Sequence, residues 1–351
     1  MEAYRISSED RELFKRCRRA WDFGARARQG RRPRQESGPP RLDLALRKAL
    51  DVYYFPGMWS WGRNIVVPLV HRALDDAMRW PGGSPALGLE VALGHRLIDA
   101  YAAWAAPLDR FTPVEVASEI SVNVPDPVLW DRDLTTMEGG PVSYSTWLDA
   151  IVVDDDSRPW LVCHRVISGE FSDPEVLVLD EAALTDCWAW GYYSLGPPMA
   201  GALITEIRTS TEIRTSEVTS SEVTSSEVPP SVQAPRGQEE DQEGEMSFRR
   251  QVVEYSSDEL ASAGRQLAAE VLDMIDAGLV LYPNPAPDNC TRCSFRQPCR
   301  AVRAGNDPEE LLAVGYEDRP EAVLVEGRLG GRTWSMNRGA RPNRFGESLA
   351  P

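Results

Sequence analysis

The segment Trp147-Leu-Asp149-Ala-Ile-Val-Val-Asp154-Asp-Asp-Ser-Arg-Pro159-Trp160-Leu-Val-Cys163-His164-Arg165-Val166 decides the fold. Two apolar, β-branched runs flank a polar turn at 154–159, so the segment reads as a β-hairpin. Working outward, 113–122 alternates like a strand, and 199–207 and 248–255 read as two more. Helical patterns fall at 42–54, 64–80, 86–106, 177–193 and 257–277. Ser7-Ser8-Glu9-Asp10 opens a further helix, on which Leu13, Cys17 and Trp21 recur at four-residue spacing. Cys17 is expected on the apolar side of that helix. The class is α/β.

The 351 residues carry a net charge of -16, which taken whole argues against a simple nucleic-acid binder. The charge is uneven. Residues 1–50 are net +7, with a run through Lys15, Arg16, Arg18, Arg19, Arg26, Arg28, Arg31, Arg32 and Arg34. That run suits phosphate contact, and equally a solvated surface. Thr-Glu-Ile-Arg-Thr-Ser occurs at 205–210 and again at 211–216, and Ser-Glu-Val-Thr-Ser at 216–220 and 221–225. Such polar repeats cannot bury enough area to order themselves, so an acidic disordered insertion at a hairpin tip is expected. Four regions result: 1–205 as N-terminal helices and the first part of the core, 206–247 as the insertion, 248–317 as the rest of the core, and 318–351 as a flexible basic tail. No signal peptide or membrane span is legible, so a soluble, cytoplasmic protein without a membrane partner is expected.

Six cysteines in such a chain point to ligation and not to disulfides. Cys290-Thr-Arg-Cys293-Ser-Phe-Arg-Gln-Pro-Cys299 reads C-x2-C-x5-C and gathers three thiols in one loop. Thiolates so close are soft ligands, and spacing leaves both an iron–sulfur cluster and zinc open. A fourth ligand is needed, and Cys17 is the best candidate. Cys163 and Cys187 fall inside a strand and a helix and read as small core residues.

Leu13-Phe-Lys-Arg-Cys17-Arg-Arg-Ala-Trp21-Asp-Phe23, the lead-in Tyr282-Pro-Asn-Pro285, the three-Cys loop and Gly305-Asn-Asp307 together resemble the iron–sulfur nucleases of the PD-(D/E)XK superfamily. These are the RecB-like exonucleases, including the CRISPR-associated spacer-processing nucleases and the AddB nuclease domain. The resemblance spans about residues 7–317. It implies a restriction-endonuclease-like mixed sheet flanked by helices, with the N-terminal helix and the C-terminal Cys loop joined by a 4Fe-4S cluster on Cys17, Cys290, Cys293 and Cys299. It also implies a metal site on the hairpin. Asp149 falls where the family Asp belongs, and His71 matches the His of an early helix, with His95 as second choice; Asp149 and His71 would be the metal ligands.

The second strand departs from the family. Cys163 stands where the family has Glu, and Arg165 where it has Lys. Magnesium and manganese want hard oxygen ligands, which a thiol does not supply. Arg165 keeps positive charge near a phosphate, but its high pKa makes it a poor partner for activating water. The helix at 179–188 also lacks the family's Gln-x-x-x-Tyr. A carboxylate reaching in from elsewhere, Glu119 or Glu170, is the conceivable rescue.

The expectation is therefore a nuclease-like, iron–sulfur DNA-binding protein with lost or weakened cutting, acting on single-stranded or end-containing DNA. Asp149, His71 and Arg165 are the candidate catalytic positions. The alternatives are an active nuclease using magnesium or manganese with a migrated carboxylate, and a scaffold that never touches nucleic acid. The aromatic segments 58–61 and 188–193 are candidates for base stacking, though such residues are more often core.

Overall fold

The computed structural model describes residues 3–34, 41–80, 85–129, 132–209 and 246–319. Strand β1 (Tyr4–Ser7) leads into helices α1 (Ser8–Arg16) and α2 (Arg18–Gly24). Then come β2 (Arg31–Pro33), α3 (Leu42–Tyr53), a 3-10 turn at Pro56–Met58, α4 (Arg63–Ala77) and α5 (Pro85–Ala105). Next are β3 (Phe111–Asn123), β4 (Val142–Asp154), β5 (Pro159–Ile167), α6 (Pro174–Val178), α7 (Glu181–Ser194) and β6 (Gly201–Thr209). The chain ends in β7 (Met246–Glu254), α8 (Ser257–Ile275), α9 (Pro287–Thr291), α10 (Arg296–Arg303), α11 (Glu309–Gly315) and β8 (Tyr316–Asp318).

Among the described residues six strands form an open mixed sheet in the order β1-β4-β5-β6-β7, with β3 pairing along the other side of β4. The expected hairpin is β4–β5, antiparallel, with Ala150 opposite Val162. β5 runs parallel to β6, and β6 is antiparallel to β7. That last pair needs Gly201: a Cβ there would lie 1.9 Å from the Val253 carbonyl oxygen.

Helices cover both faces because β4 and β5 are apolar on both. On one face Leu148, Ile151 and Leu161 pack with Trp21, Trp188, Leu267 and Val271 of α2, α7 and α8. On the other, Ala150, Val152 and Val162 pack with Leu46, Leu50, Leu74 and Leu97 of α3, α4 and α5. Full burial of each such Leu, Ile or Val contributes about 1.5–3 kcal/mol. A capping box starts α8: Ser256 Oγ accepts the Glu259 N–H at 3.2 Å, and the Glu259 carboxylate accepts the Ser256 N–H at 2.7 Å.

Three local expectations change. The helix expected at 177–193 is two helices, because Asp180 caps α7 by accepting the Ala183 N–H and so ends the run before it. The first helix breaks at Cys17, whose backbone is extended (φ -165, ψ 109), leaving α1 and α2 as separate pieces. Residues 206–209, assigned by composition to the insertion, are strand, paired with 246–249. The remainder of the insertion, 210–245, lies outside the described residues, as does the tail beyond 319.

The two chain ends meet. β2 pairs antiparallel with β8, Arg31 opposite Asp318. Beneath them Ala20 and Phe23 pack on Phe295, Leu312 and Tyr316, with Leu13, Cys17, Cys293 and Cys299 at the margin. Among the described residues, no helix is long and apolar enough to cross a membrane.

Candidate functional site

The β4–β5 ladder stops at Ala150 and Val162, and a small open cleft begins there. Asp149, Cys163, His164 and Arg165 line it from the sheet, Arg47 from α3, and Ala182, Ala183 and Asp186 from α7, with Trp147 at its side. The hairpin register thus brings Asp149, Cys163 and Arg165 to one cleft.

Asp149 is buried, and its carboxylate has two hydrogen-bonding partners. Oδ2 accepts the His164 backbone N–H at 2.8 Å, and Arg47 Nη2 lies 3.2 Å from Oδ1 and 3.3 Å from Oδ2. Burial pushes the Cys163 thiol well above the usual thiol range, and Asp149 and Asp186 push it further. Cys163 is a soft thiol at a position where a hard divalent ion would want an oxygen donor. Arg165 forms an ion pair with Asp180, the cap of α7. Burial lowers the His164 ring to about 4, so it is neutral; it stacks on Tyr54 and sits 3.2 Å from the Tyr101 hydroxyl. Arg47 and Arg165 thus bring two guanidinium groups to the cleft.

A second carboxylate does reach the cleft, and it is one the sequence did not point to. Asp186 comes from α7, the helix set aside for lacking a motif. Burial pushes its carboxyl up to about 7, against hydrogen bonds from Thr146 and Tyr144, while Asp180 and Asp149 push it further up. Neither Glu119 nor Glu170 lines the cleft; both are exposed. Glu206, next to Arg165 in register, is buried and held by Arg249 at 2.6 Å and by Ser172.

Around the cleft, Arg47 and Trp147 are each about half exposed, and the Lys48 ammonium lies 5.1 Å from the Trp147 ring centroid. Trp147 is thus an aromatic that could stack with a base. The segments expected for that role differ among themselves. Trp188 is buried in the core, Trp59 packs on Tyr54 and Phe111, and Trp61, Tyr192 and Tyr193 remain exposed.

His71 is not joined to Asp149 by any contact among the described residues. Its Nδ1 faces His95 Nδ1 at 2.7 Å and its Nε2 faces Asp99 at 2.8 Å. The basic N-terminal run is largely engaged in pairing. Lys15 meets Glu181 and Glu270, Arg18 Asp273, Arg28 Asp22, Arg31 Asp318 and Glu309, and Arg32 Glu317. Arg34 donates to the carbonyls of Ala313 and Tyr316. The Arg31, Arg32 and Arg34 contacts tie the two ends of the described chain together, and the paired acids lower the net positive charge of that run.

The four expected cluster cysteines share one neighbourhood. Cys290 lies on α9, Cys293 follows it, Cys299 lies on α10, and Cys17 sits at the α1–α2 break. Burial raises the Cys299 thiol, and Cys17, Cys293 and Cys290 raise it further, while Arg19 opposes them. The break at Cys17 matters locally: its Sγ accepts the Asn284 N–H at 3.4 Å, and the Asn284 side chain donates to the Arg16 carbonyl. Arg19 Nε is buried without a hydrogen-bond partner. Among the described residues, no group of three or more His, Cys, Asp or Glu side chains could hold a metal ion as they stand. The donor set is nonetheless right in kind for a soft centre: four thiols and, beside Cys299, a guanidinium with an unmet donor. A cluster bound by Cys17, Cys290, Cys293 and Cys299 would clasp the two ends of the chain. Cys187 is core, its Sγ 3.6 Å from the Gly201 carbonyl.

No family model matches the sequence, and no curated protein matches it. Nine solved chains match in structure, one of them described as "Crystal structure of SSO0001". That chain is 9% identical, with a TM-score of 0.30 over 72% of this chain and 84% of that one. At that score the likeness carries no argument.

Proposed function

We propose that this chain is a RecB-like, PD-(D/E)XK-type protein with a restriction-endonuclease-like core that binds DNA and has lost or weakened its cutting. A 4Fe-4S cluster joins its ends in this reading, with zinc as the alternative. One observation supports the loss of cutting: Asp149 is paired with Arg47 and the His164 amide, and the residue opposite it on β5 is the thiol Cys163. Magnesium or manganese would have to displace a guanidinium to reach that carboxylate, and would gain no second oxygen from β5. The same guanidinium groups, Arg47 and Arg165, supply positive charge for a phosphate, and Trp147 offers a face for an unpaired base. Single-stranded DNA is therefore the preferred substrate class.

A second reading, weak metal-dependent cleavage, is favoured by Asp186, the carboxylate that α7 brings into the cleft. Digestion of labelled single-stranded and duplex DNA with manganese separates the two. The first reading expects bound but intact single strands. Cleavage by the wild type that is lost in Asp149→Ala and in Asp186→Ala establishes the second.

A further inference from the structure

Helices α4 and α5 carry the same short pattern on facing surfaces. His71 precedes Asp75 by four residues on α4, and His95 precedes Asp99 by four on α5. One helical turn sets each pair on one face. The helices meet closely beside them because residue 94 is glycine: a Cβ there would lie 2.7 Å from Leu74 Cδ2.

The side chains then form a crossed array. His71 Nε2 faces Asp99 at 2.8 Å, and His95 Nε2 faces Asp75 at 2.8 Å. The two Nδ1 atoms face each other at 2.7 Å. A carboxylate only accepts, so each Nε2 carries hydrogen, and each Nδ1 turns a lone pair toward the other. Two lone pairs turned on one another so closely mark a place for a cation.

We propose that His71 and His95 form a transition-metal site bridging α4 and α5, in which a borderline divalent ion such as zinc lies between the two Nδ1 atoms. Imidazole donating its far N–H to a carboxylate is the arrangement that orients and strengthens histidine ligands. Here it occurs twice and converges on one point. For zinc, with Zn–N distances of about 2.0–2.1 Å, the two Nδ1 atoms must open to ~3.3 Å in a tetrahedral site. Both rings are partly exposed, 22% for His71 and 32% for His95, so they have room to move and water can complete the shell. The two carboxylates match the ion's two charges. This site owes nothing to the nuclease reading, and it places His71 with His95 and not with Asp149.

The test is equilibrium dialysis of chelator-treated full-length protein against micromolar zinc. The thiol site is common to every sample, so the readout is the difference in bound zinc. Wild type is expected to hold one more zinc per chain than H71N/H95N, with both showing the same helical circular dichroism. His95→Gln alone is expected to lose the same equivalent, which preserves the test should the double variant misfold. D75N/D99N is expected to weaken that zinc by about 10- to 100-fold. Equal zinc in wild type and the His variants overturns the site. An unchanged affinity in D75N/D99N overturns the role of the carboxylates.

Discussion

Arg47 on α3 and Asp149 on β4 form an ion pair, with Nη2 3.2 Å from Oδ1, at the end of the β4–β5 ladder. Asp149 is buried and its other support is a single backbone amide. Removing Arg47 leaves a buried carboxylate short of partners, at a cost of about 1–3 kcal/mol. Arg47→Ala is therefore expected to lower the chemical-denaturation midpoint. R47A/D149N, which removes the charge as well, is expected to recover most of the loss. Equal midpoints for wild type and R47A would show that the pair contributes nothing.

The pH dependence of stability follows from two groups with opposite signs. His164 is held neutral, its pKa lowered to about 4 by burial. Its unfolded value is about 6.5. The unfolded chain binds the proton more readily, so the His164 contribution is full above about 6.5 and is lost as pH falls toward 4. Asp186 is raised by burial to about 7. Its contribution is full below an unfolded value of about 3.9 and is lost as pH rises through 7. Asp186→Asn is thus expected to be more stable than wild type at pH 8 and about equal to it at pH 4. Thermal midpoints across pH check this. An Asn variant whose profile parallels the wild type throughout would remove Asp186 from the account.

The seam between α7 and α8 depends on a glycine. A Cβ on Gly264 would stand 2.3 Å from Trp188 Nε1 and 2.7 Å from Cε2. The indole is buried and rigid, so it cannot give way as a flexible chain would. Gly264→Ala is expected to destabilise by about 1–3 kcal/mol despite its better helix propensity. A neutral or stabilising substitution in urea denaturation would contradict the packing.

The hairpin around Asp149 was legible because its signal is local: two apolar runs and a turn within twenty residues. So was the meeting of the chain ends, since Cys17 and the three-Cys loop point to one another chemically. Asp186 was not legible. It sits on a helix with no motif, and only the packing of α7 on the sheet sets it beside Asp149. The arginines of the N-terminus misled for the same reason. Their partners, Glu309, Glu317 and Asp318, lie nearly three hundred residues away, and sequence charge counts do not show who pairs with whom. The break at Cys17 was hidden too, because helical spacing continues through a residue whose backbone is extended.

The thiols at the chain ends make a separate prediction. Anaerobically purified protein is expected to be brown and to contain iron. Cys17→Ala and Cys299→Ala are each expected to lose it, with a marked fall in stability, because a clip between the ends restricts the unfolded chain. Zinc alone in metal analysis would replace the cluster by its alternative. A full metal load in Cys17→Ala would break the link between the ends.

In the proposed function the cleft beside Asp149 receives nucleic acid through Arg47, Lys48 and Trp147. The most direct test is fluorescence anisotropy of a labelled single-stranded oligonucleotide, titrated at several salt concentrations with wild type and R47A/K48A. Each lost phosphate contact is expected to lower the slope of log K against log salt by about 0.7. The account predicts salt-dependent binding by wild type and a slope about 1.4 smaller in the variant. Absence of binding by wild type, or identical affinity and slope in the variant, would contradict it.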